Sequence, residues 1–394
     1  MPTHRAIRMR SRRPVRCVTM ALAAALTLAG VLTGSVPAAA AAATCQSGTG
    51  AQPPSPGSDN NALNGVVVLS PCNAWAVGSF SGPRTDANLI EHWNGTRWKV
   101  VLSPQPGTGG DFLYGIRALS PDNIWAVGSF ATAAGDRAEI LHWNGRAWKH
   151  VTAPAVGHDD TLYAVRPVSA KDIWAVGDAS NGPANRTLIL HWNGRAWSHV
   201  PSPHPGKDSQ LISVAATSAG NAWAVGSTFD GASDRTLILH WNGRTWARMA
   251  SPNLAASGRN NGLSAVGASS GRDAWAAGTY DGGSFLKPLI LHWNGRTWAS
   301  VPGPGSTASD DQLLGVYVIS GRNAWAVGLR IAGAERTGLI LHWNGQKWRR
   351  ASAPSIGGSQ SLNAVGASSA GNGWVVGDYT GTSGKIRTLA IHCC

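Results

Sequence analysis

The sequence predicts an all-β protein, a seven-bladed β-propeller built from four-stranded antiparallel blades. The first observation is that the segment Asn-Ala-Trp-Ala-Val-Gly recurs, with variations, seven times at steps of 49 to 52 residues. The second is that Leu-Ile-Leu-His-Trp-Asn-Gly, or a close variant, follows six copies, with another Trp five residues beyond its own. The third is that helical periodicity is absent after the N-terminal segment. Tandem strand-rich units of about 50 residues are typical of propellers.

Each unit contains four predicted strands, named A to D in chain order. Strand A is the run at 263–269 and its equivalents, and strand B is the Trp-Ala-Val-Gly segment. Strand C is Leu-Ile-Leu-His-Trp, and strand D begins at the third Trp and ends at Ser-Pro or Ala-Pro. The Asn-Gly between strands C and D predicts a type I′ turn, because both central residues of that turn need positive φ. The proline places strand D at an outer edge.

The repeated aromatic residues are predicted to fill the space between blades. Three Trp in each of six units plus Trp374 account for all 19 tryptophans, and each would cover on the order of 200 Å². Strand C also carries one His per blade. Because each blade is a separate sheet and stacked sheets lie ~10 Å apart, these His cannot share one metal ion. We expect each imidazole to be buried beside Trp and hydrogen-bonded to the backbone or a hydroxyl; the seven are His92, His142, His191, His240, His292, His342 and His392.

The N-terminal 43 residues have the features of a secretory signal: a basic region, an apolar run at 18–32 and small residues at 38–43. We therefore expect residues 44–394 to form one propeller domain that is exported by the Sec or the twin-arginine route. The formal charge is +13, but the signal holds six Arg and no acid, which leaves +7 for the rest. That mild excess does not indicate nucleic-acid binding. No second hydrophobic span is present, so we expect no membrane span.

The seventh unit lacks strand D, and the N-terminal segment is the predicted substitute. If Ser55-Pro56 is taken as a strand-D end, residues 45–56 would pair with the last blade and remove its free edge. Four cysteines remain after removal of the signal, near the two ends of the domain: Cys45, Cys72, Cys393 and Cys394. We expect two disulfides that close the ring, with Cys45 bonded to Cys393 or Cys394 and Cys72 to the other.

The motifs resemble those of Trp-rich repeat proteins in secreted actinobacterial proteomes and are more distantly similar to kelch and sialidase-type propeller repeats. The resemblance covers residues 45–394. It departs from the sialidase pattern, because no Asp-box is present, and from the kelch pattern, because one Gly rather than two follows strand B. It implies a propeller fold and export and implies no particular activity.

The B–C and D–A loops are long and variable, and they share one face of a propeller; binding function concentrates in such loops. Acids stand before strand A, and the fifth position of strand A carries two Arg and one Tyr where most blades have small residues. The candidate ligand-binding residues are Asp111, Asp159, Asp160, Asp208, Asp310, Asp311, Arg117, Arg166 and Tyr317. The alternative interpretation is that the acids cap turns and that the arginines form ion pairs.

The sequence favours a non-catalytic binding protein that recognises an extracellular glycan or a cell-surface protein through this loop face. Whether it is an enzyme stays uncertain, because no nucleophile elbow, phosphate-binding Gly loop or zinc helix is present. The alternatives are a polysaccharide-degrading hydrolase or lyase that uses Asp pairs on the same face, and a structural scaffold without a small ligand. We expect a monomer without a cofactor or a structural metal, although Asp oxygens would also suit calcium.

Overall fold

The computed structural model describes residues 52–82 and 85–393, which form strands, turns and loops without a helix. The signal segment and Cys45 lie outside the described residues. Seven antiparallel sheets follow one another along the chain, six with four strands in the order A-B-C-D and the last with three in the order A-B-C. The predicted seven-bladed propeller is confirmed.

The strand bounds repeat closely from blade to blade. Blade 1 contains β1 (Asn61–Ser70), β2 (Asn73–Ser81), β3 (Asp86–Trp93) and β4 (Trp98–Val100); blade 2, β5 (Asp111–Ser120), β6 (Asn123–Thr132), β7 (Gly135–Trp143) and β8 (Trp148–His150); blade 3, β9 (Asp159–Ser169), β10 (Asp172–Ser180), β11 (Asn185–Trp192) and β12 (Trp197–His199); blade 4, β13 (Asp208–Ser218), β14 (Asn221–Phe229), β15 (Asp234–Trp241) and β16 (Trp246–Met249). Blade 5 contains β17 (Asn261–Ser270), β18 (Asp273–Asp281), β19 (Leu286–Trp293) and β20 (Trp298–Ser300); blade 6, β21 (Asp310–Ser320), β22 (Asn323–Ala332), β23 (Glu335–Trp343) and β24 (Trp348–Ala351); blade 7, β25 (Gln360–Ser369), β26 (Asn372–Thr380) and β27 (Ile386–Cys393).

The prediction of a type I′ turn between strands C and D is wrong. Trp93 pairs with Trp98, so the loop has four residues rather than two. The Asn94 side chain accepts hydrogen bonds from the backbone N–H of Thr96 and Arg97, both at 3.1 Å, and Gly95 has a φ of 92°. The Asn side chain therefore closes the loop through an Asx-type turn, and this arrangement recurs at the five other Asn-Gly pairs.

Tryptophans join each blade to the next, as predicted. Trp275 of strand B in blade 5 is 1% exposed. It packs against Trp343 and Trp348 of blade 6, with ring centroids 4.7 and 5.2 Å away, and the second contact is edge-to-face at 85°. Edge-to-face pairs suit the aromatic quadrupole. The same three-ring cluster also links blades 1 and 2, 2 and 3, 3 and 4, and 7 and 1.

The strand-C histidines fill a structural position, but two parts of the prediction for them are wrong. In blade 5, His292 stacks on Trp275 with centroids 4.3 Å apart, and its Nε2 lies 2.7 Å from Asp273 Oδ1. The partner is thus an Asn or Asp side chain at the start of strand B, not the backbone or a hydroxyl. The imidazoles are half-buried rather than buried, and the contact recurs in all seven blades at 2.7–3.1 Å.

The N-terminal segment meets the last blade in a different register from the predicted one. The Thr388 hydroxyl donates to the Pro54 carbonyl oxygen at 3.0 Å, as the Thr236 hydroxyl does to that of Pro252 at 3.2 Å. Thr388 and Thr236 occupy the same position of strand C. Pro54 rather than Pro56 therefore marks the strand-D end, so the alignment on Ser55-Pro56 is wrong by two residues. Residues 52–55 do lie along β27, which supports the predicted closure.

Of the predicted disulfide cysteines, the structure describes Cys72 and the backbone of Cys393. Cys72 lies in the turn between β1 and β2, and Cys393 ends β27 at the position that holds Trp in the other blades. Cys394 lies outside the described residues, as does Cys45. The two disulfides stay a prediction.

Candidate ligand site in the axial channel

A cavity of about 720 Å³ runs along the axis, and residues of strand A from all seven blades line it. Strand A is the innermost strand and is tightly packed there: a Cβ at Gly115 would stand 2.7 Å from the Tyr163 carbonyl oxygen. The cavity also reaches Asn260, which precedes β17, and Asp281 and Leu286, which end β18 and begin β19 on the loop side of blade 5. It therefore opens on the face of the B–C and D–A loops, the face for which ligand binding is predicted.

Two tyrosines on neighbouring blades form the aromatic part of the wall. Tyr114 and Tyr163 both line the cavity, and their ring centroids are 5.3 Å apart at an angle of 52°. The Tyr163 hydroxyl donates to the Asp178 carboxylate, and Tyr114 is hydrogen-bonded to Ser129. Each ring is thus held by its hydroxyl from strand B of its own blade, which fixes an aromatic surface inside the channel.

Asp178, on strand B of blade 3, is the acid that accepts the Tyr163 hydrogen bond. It is 8% exposed, and one carboxylate oxygen has no partner among the described residues. Burial raises its pKa to about 6, the Tyr163 hydrogen bond opposes that rise, and the charges of Asp208 and Asp160 add to it. Burial also raises the pKa of Tyr163. Both groups therefore favour their neutral forms more than exposed groups would, although Asp178 is still largely ionised at neutral pH.

Amide side chains supply most of the remaining polar wall. The Asn64 amide donates to the Leu113 carbonyl oxygen at 3.0 Å, and the Gln210 amide donates to Ser227 Oγ at 3.2 Å. Both donations orient the NH₂ group toward the protein. The amide oxygens of Asn64 and Gln210 then have no protein partner in the described part of the chain, and Gln312 makes no hydrogen bond there. These groups offer acceptors and donors to a polar, uncharged ligand.

Blade 5 has no side chain at a strand-A position where blades 2, 3, 4 and 6 have a large or polar one. Gly262 occupies the position held by Phe112, Thr161, Gln210 and Gln312, and a Cβ built on it would meet nothing within 4 Å. The cavity passes this gap next to Tyr280 and Asp281. The missing side chain therefore makes an entrance to one side of the axis.

The predicted acids do not line the cavity, and three of them are buried at the beginning of strand A in their blades. Asp160 is 0% exposed and accepts hydrogen bonds from the backbone N–H of Val156 and Gly157, both at 2.8 Å. Asp111 accepts one from Gly107 N–H at 2.8 Å, and burial raises its pKa. Asp311 is 0% exposed between Arg330, at 2.8 Å, and Arg350, at 2.6 Å. Each of the three holds its own blade together.

Two other predicted acids bind the preceding blade. Asp159 accepts a hydrogen bond from Asp136 N–H at 2.9 Å, and this bond lowers the Asp159 pKa. Asp310 accepts one from Leu286 N–H at 2.7 Å. Asp208 lies close enough to Asp178 and Asp234 to raise the pKa of both. These contacts are of the kind that the turn-capping interpretation describes, and a ligand-binding role for the acids stays a prediction.

Of the nine predicted ligand-binding residues, only Arg117 lines the cavity. Arg166 and Tyr317 occupy the same position of strand A in blades 3 and 6. Sequence reasoning missed Tyr114, Tyr163, Gln210 and Gln312. The available signal was their variation within strand A, whose Leu at 113, 162, 211 and 313 is constant.

Two buried glutamates interrupt the apolar pattern of strand C. Glu91 is 0% exposed, occupies a Leu position of the repeat, and both of its carboxylate oxygens lack a partner among the described residues. Glu139 is also 0% exposed and accepts a hydrogen bond from the Asn88 amide at 2.7 Å. Burial raises the pKa of each to about 9. Both acids are therefore neutral in the folded protein at pH 7.

The described residues contain no cluster of three or more His, Cys, Asp or Glu side chains arranged for a metal ion. Within the same residues, no helix is long and apolar enough to span a bilayer.

No protein-family model matches the sequence, and no curated protein is significantly similar to it. Solved structures do match. "YCF48 bound to D1 peptide" has a TM-score of 0.53 at 13% identity and covers 87% of this chain and 95% of its own. A PL25 ulvan lyase bound to a saccharide has a TM-score of 0.51 at 12% identity and covers 85% of this chain and 94% of its own. A GH74 xyloglucanase from Xanthomonas campestris has a TM-score of 0.50 at 13% identity and covers 84% of this chain and 54% of its own. At these identities the likeness shows the fold alone.

Proposed function

We propose that this protein is an exported, non-catalytic binding protein and that its axial cavity takes an extracellular glycan. The observation that carries the proposal is that Tyr114 and Tyr163 share one open cavity with amide oxygens that have no partner among the described residues. Tyrosine rings offer a flat apolar surface for the C–H faces of a sugar ring, and amides exchange hydrogen bonds with hydroxyls. The resemblance to secreted Trp-rich repeat proteins supports export.

The size of the cavity agrees with a small ligand or the end of a longer chain. Binding sites for small molecules usually occupy about 300–1,000 Å³, and the volume here is about 720 Å³. The cavity wall consists of strands of the ring, so little free energy is lost in ordering the protein when a ligand binds. Among proteins of the same fold, one structure holds a peptide and another a saccharide, so both ligand classes belong in the test.

The test is a binding screen on the mature protein. Hexasaccharides of chitin, cellulose, xylan and polygalacturonate, together with a random peptide library, are presented on an array, and product release from the parent polysaccharides is assayed in parallel. We expect saccharide binding without product. Product release would favour the polysaccharide-degrading alternative, peptide binding alone would favour a protein partner, and no signal at all would favour a scaffold; each of these contradicts the proposal.

A further inference from the structure

The lower part of the channel contains two arginines on neighbouring blades. The fifth position of strand A is small or apolar in blades 1, 4, 5 and 7, with Val67, Ala215, Gly267 and Gly366. Blades 2 and 3 instead place Arg117 and Arg166 there, and blade 6, across the axis, places Tyr317. The repeat is thus broken by two adjacent cations.

Neither guanidinium is paired with an acid in the part of the chain that the structure describes. Arg117 Nη1 donates to the carbonyl oxygen of Ile116 at 2.9 Å, and Arg166 donates through Nε and Nη2 to that of Ala216 at 3.3 and 3.2 Å. Among the described residues, no ion pair includes either side chain. The remaining N–H groups, Nε and Nη2 of Arg117 and Nη1 of Arg166, have no protein acceptor there.

The two positive guanidinium groups repel each other at half-buried positions. Burial and the charge of Arg166 lower the pKa of Arg117 to about 10, and burial lowers the pKa of Arg166. Both arginines nevertheless stay charged at neutral pH. Isolated buried charges are costly unless they are paired, and guanidinium groups bind carboxylate and sulfate oxygens through paired N–H donors.

We propose that Arg117 and Arg166 form a binding site for an oxyanion, a carboxylate or a sulfate group, at the inner end of the axial cavity. Arg117 lines the cavity that opens on the loop face, so an anion can reach it from there. The anion is either a free ion or the acidic group of a ligand whose neutral part contacts Tyr114 and Tyr163. The free ion would bind whether or not the proposed glycan does.

The first experiment titrates the mature protein with sodium sulfate by calorimetry, at constant ionic strength kept with sodium chloride. We expect saturable binding that weakens at least tenfold in Arg117→Gln and in Arg166→Gln. Arg146→Gln, an exposed arginine in the C–D loop of blade 2, is the matched control and should bind as the wild type does. Absence of saturable binding to the wild type, or equal binding by all four proteins, would overturn the proposal.

The second experiment distinguishes the two sources of the anion. Tri-galacturonate and xylotriose are titrated into the wild type and the variants Arg117→Gln and Arg166→Gln. Tighter binding of the acidic sugar that is lost in both variants supports an acidic group on the ligand. Equal binding of the two sugars, with sulfate binding still dependent on the arginines, supports a free ion. If a Gln variant does not fold, Arg117→Lys and Arg166→Lys replace it; these keep the charge but lose the paired donors, and binding should still weaken.

Discussion

The contacts between blades and the walls of the channel follow opposite rules. Within and between blades, the same Trp, His and Asn or Asp occupy the same positions in blade after blade, and the contact of His with Asn or Asp is made in all seven. In the channel, the position after the constant Leu of strand A carries Tyr in blades 2 and 3, and the position before it carries Gln in blades 4 and 6 and Gly262 in blade 5. Residues that repeat from blade to blade therefore hold the ring together. Residues of strand A that differ from blade to blade give the cavity its particular polar and aromatic wall.

The interface between blades 6 and 7 shows what happens when a repeated Trp is replaced. Blade 7 has Cys393 where the other blades have the strand-C Trp, and no described residue supplies its strand-D Trp. Trp325 of blade 6 is consequently half-buried, and its aromatic contact in the described part is His342 alone. The cluster around it has seven buried residues, against twelve between blades 2 and 3. Within the described residues, the buried apolar cluster between blades 6 and 7 is therefore the smallest of the seven.

The largest effect is expected at a constant Trp. Trp275→Ala should reduce the free energy of unfolding by about 3–5 kcal/mol, the usual loss for a fully buried aromatic residue. Trp325→Ala, at the same position of the next blade, should cost less than half as much because its cluster is already incomplete. Urea denaturation of both variants checks this. Equal losses would show that the two interfaces contribute equally.

Two adjacent acids offer a second comparison. Asp311→Asn should destabilise the protein by about 2–3 kcal/mol, because it leaves Arg330 and Arg350 without their buried partner; the loss stays below the roughly 3–5 kcal/mol of a fully buried pair because both arginines are 31% exposed. Asp310→Asn keeps an acceptor for Leu286 N–H and should change stability by less than about 0.5 kcal/mol. Thermal unfolding measures both, and a large loss in Asp310→Asn would contradict the assignment.

Glu91 breaks a constant apolar position, so restoring Leu should stabilise the ring. Its pKa is about 9 in the folded protein against an ordinary 4.5. The folded state keeps a proton that the unfolded state releases, so its contribution to stability is present below pH 4.5 and is lost as the pH rises toward 9. Glu91→Leu should gain roughly 1–4 kcal/mol at pH 7 and flatten the stability profile between pH 5 and 9. Glu335→Leu, at an exposed site, should do neither.

The smallest effect concerns the strand-C histidines. Burial lowers the pKa of His342, whose partner is Asn323, so its contribution to stability is lost as the pH falls below about 6.5. Blades 3 and 5 carry Asp at the partner position. Asn323→Asp should therefore recover about 0.5–1 kcal/mol at pH 5 and little at pH 8. Melting temperatures between pH 5 and 8 check this, and a gain at both pH values would point to another cause.

The constant positions could be predicted from the sequence because repetition reveals them. Periodic Trp, His and Asn-Gly gave the blade number, the strand order and the inter-blade packing. Two details were missed for local reasons: Asn-Gly fits both a two-residue and a four-residue loop, and Pro54 and Pro56 both fit a strand-D end. The cavity was missed because Tyr114, Tyr163 and Gln210 look like ordinary polar positions of a strand until seven strands A surround one axis.

The most direct test of the account compares the cavity with the acidic rim. The dissociation constant of the hexasaccharide that binds best in the screen is measured by calorimetry for the wild type, Tyr114→Ala/Tyr163→Ala and Asp159→Asn/Asp310→Asn. We expect at least a tenfold loss of affinity in the Tyr variant, with a melting temperature close to that of the wild type, and wild-type affinity in the Asp variant. Loss of affinity in the Asp variant with full binding by the Tyr variant would place the site on the rim and contradict the account.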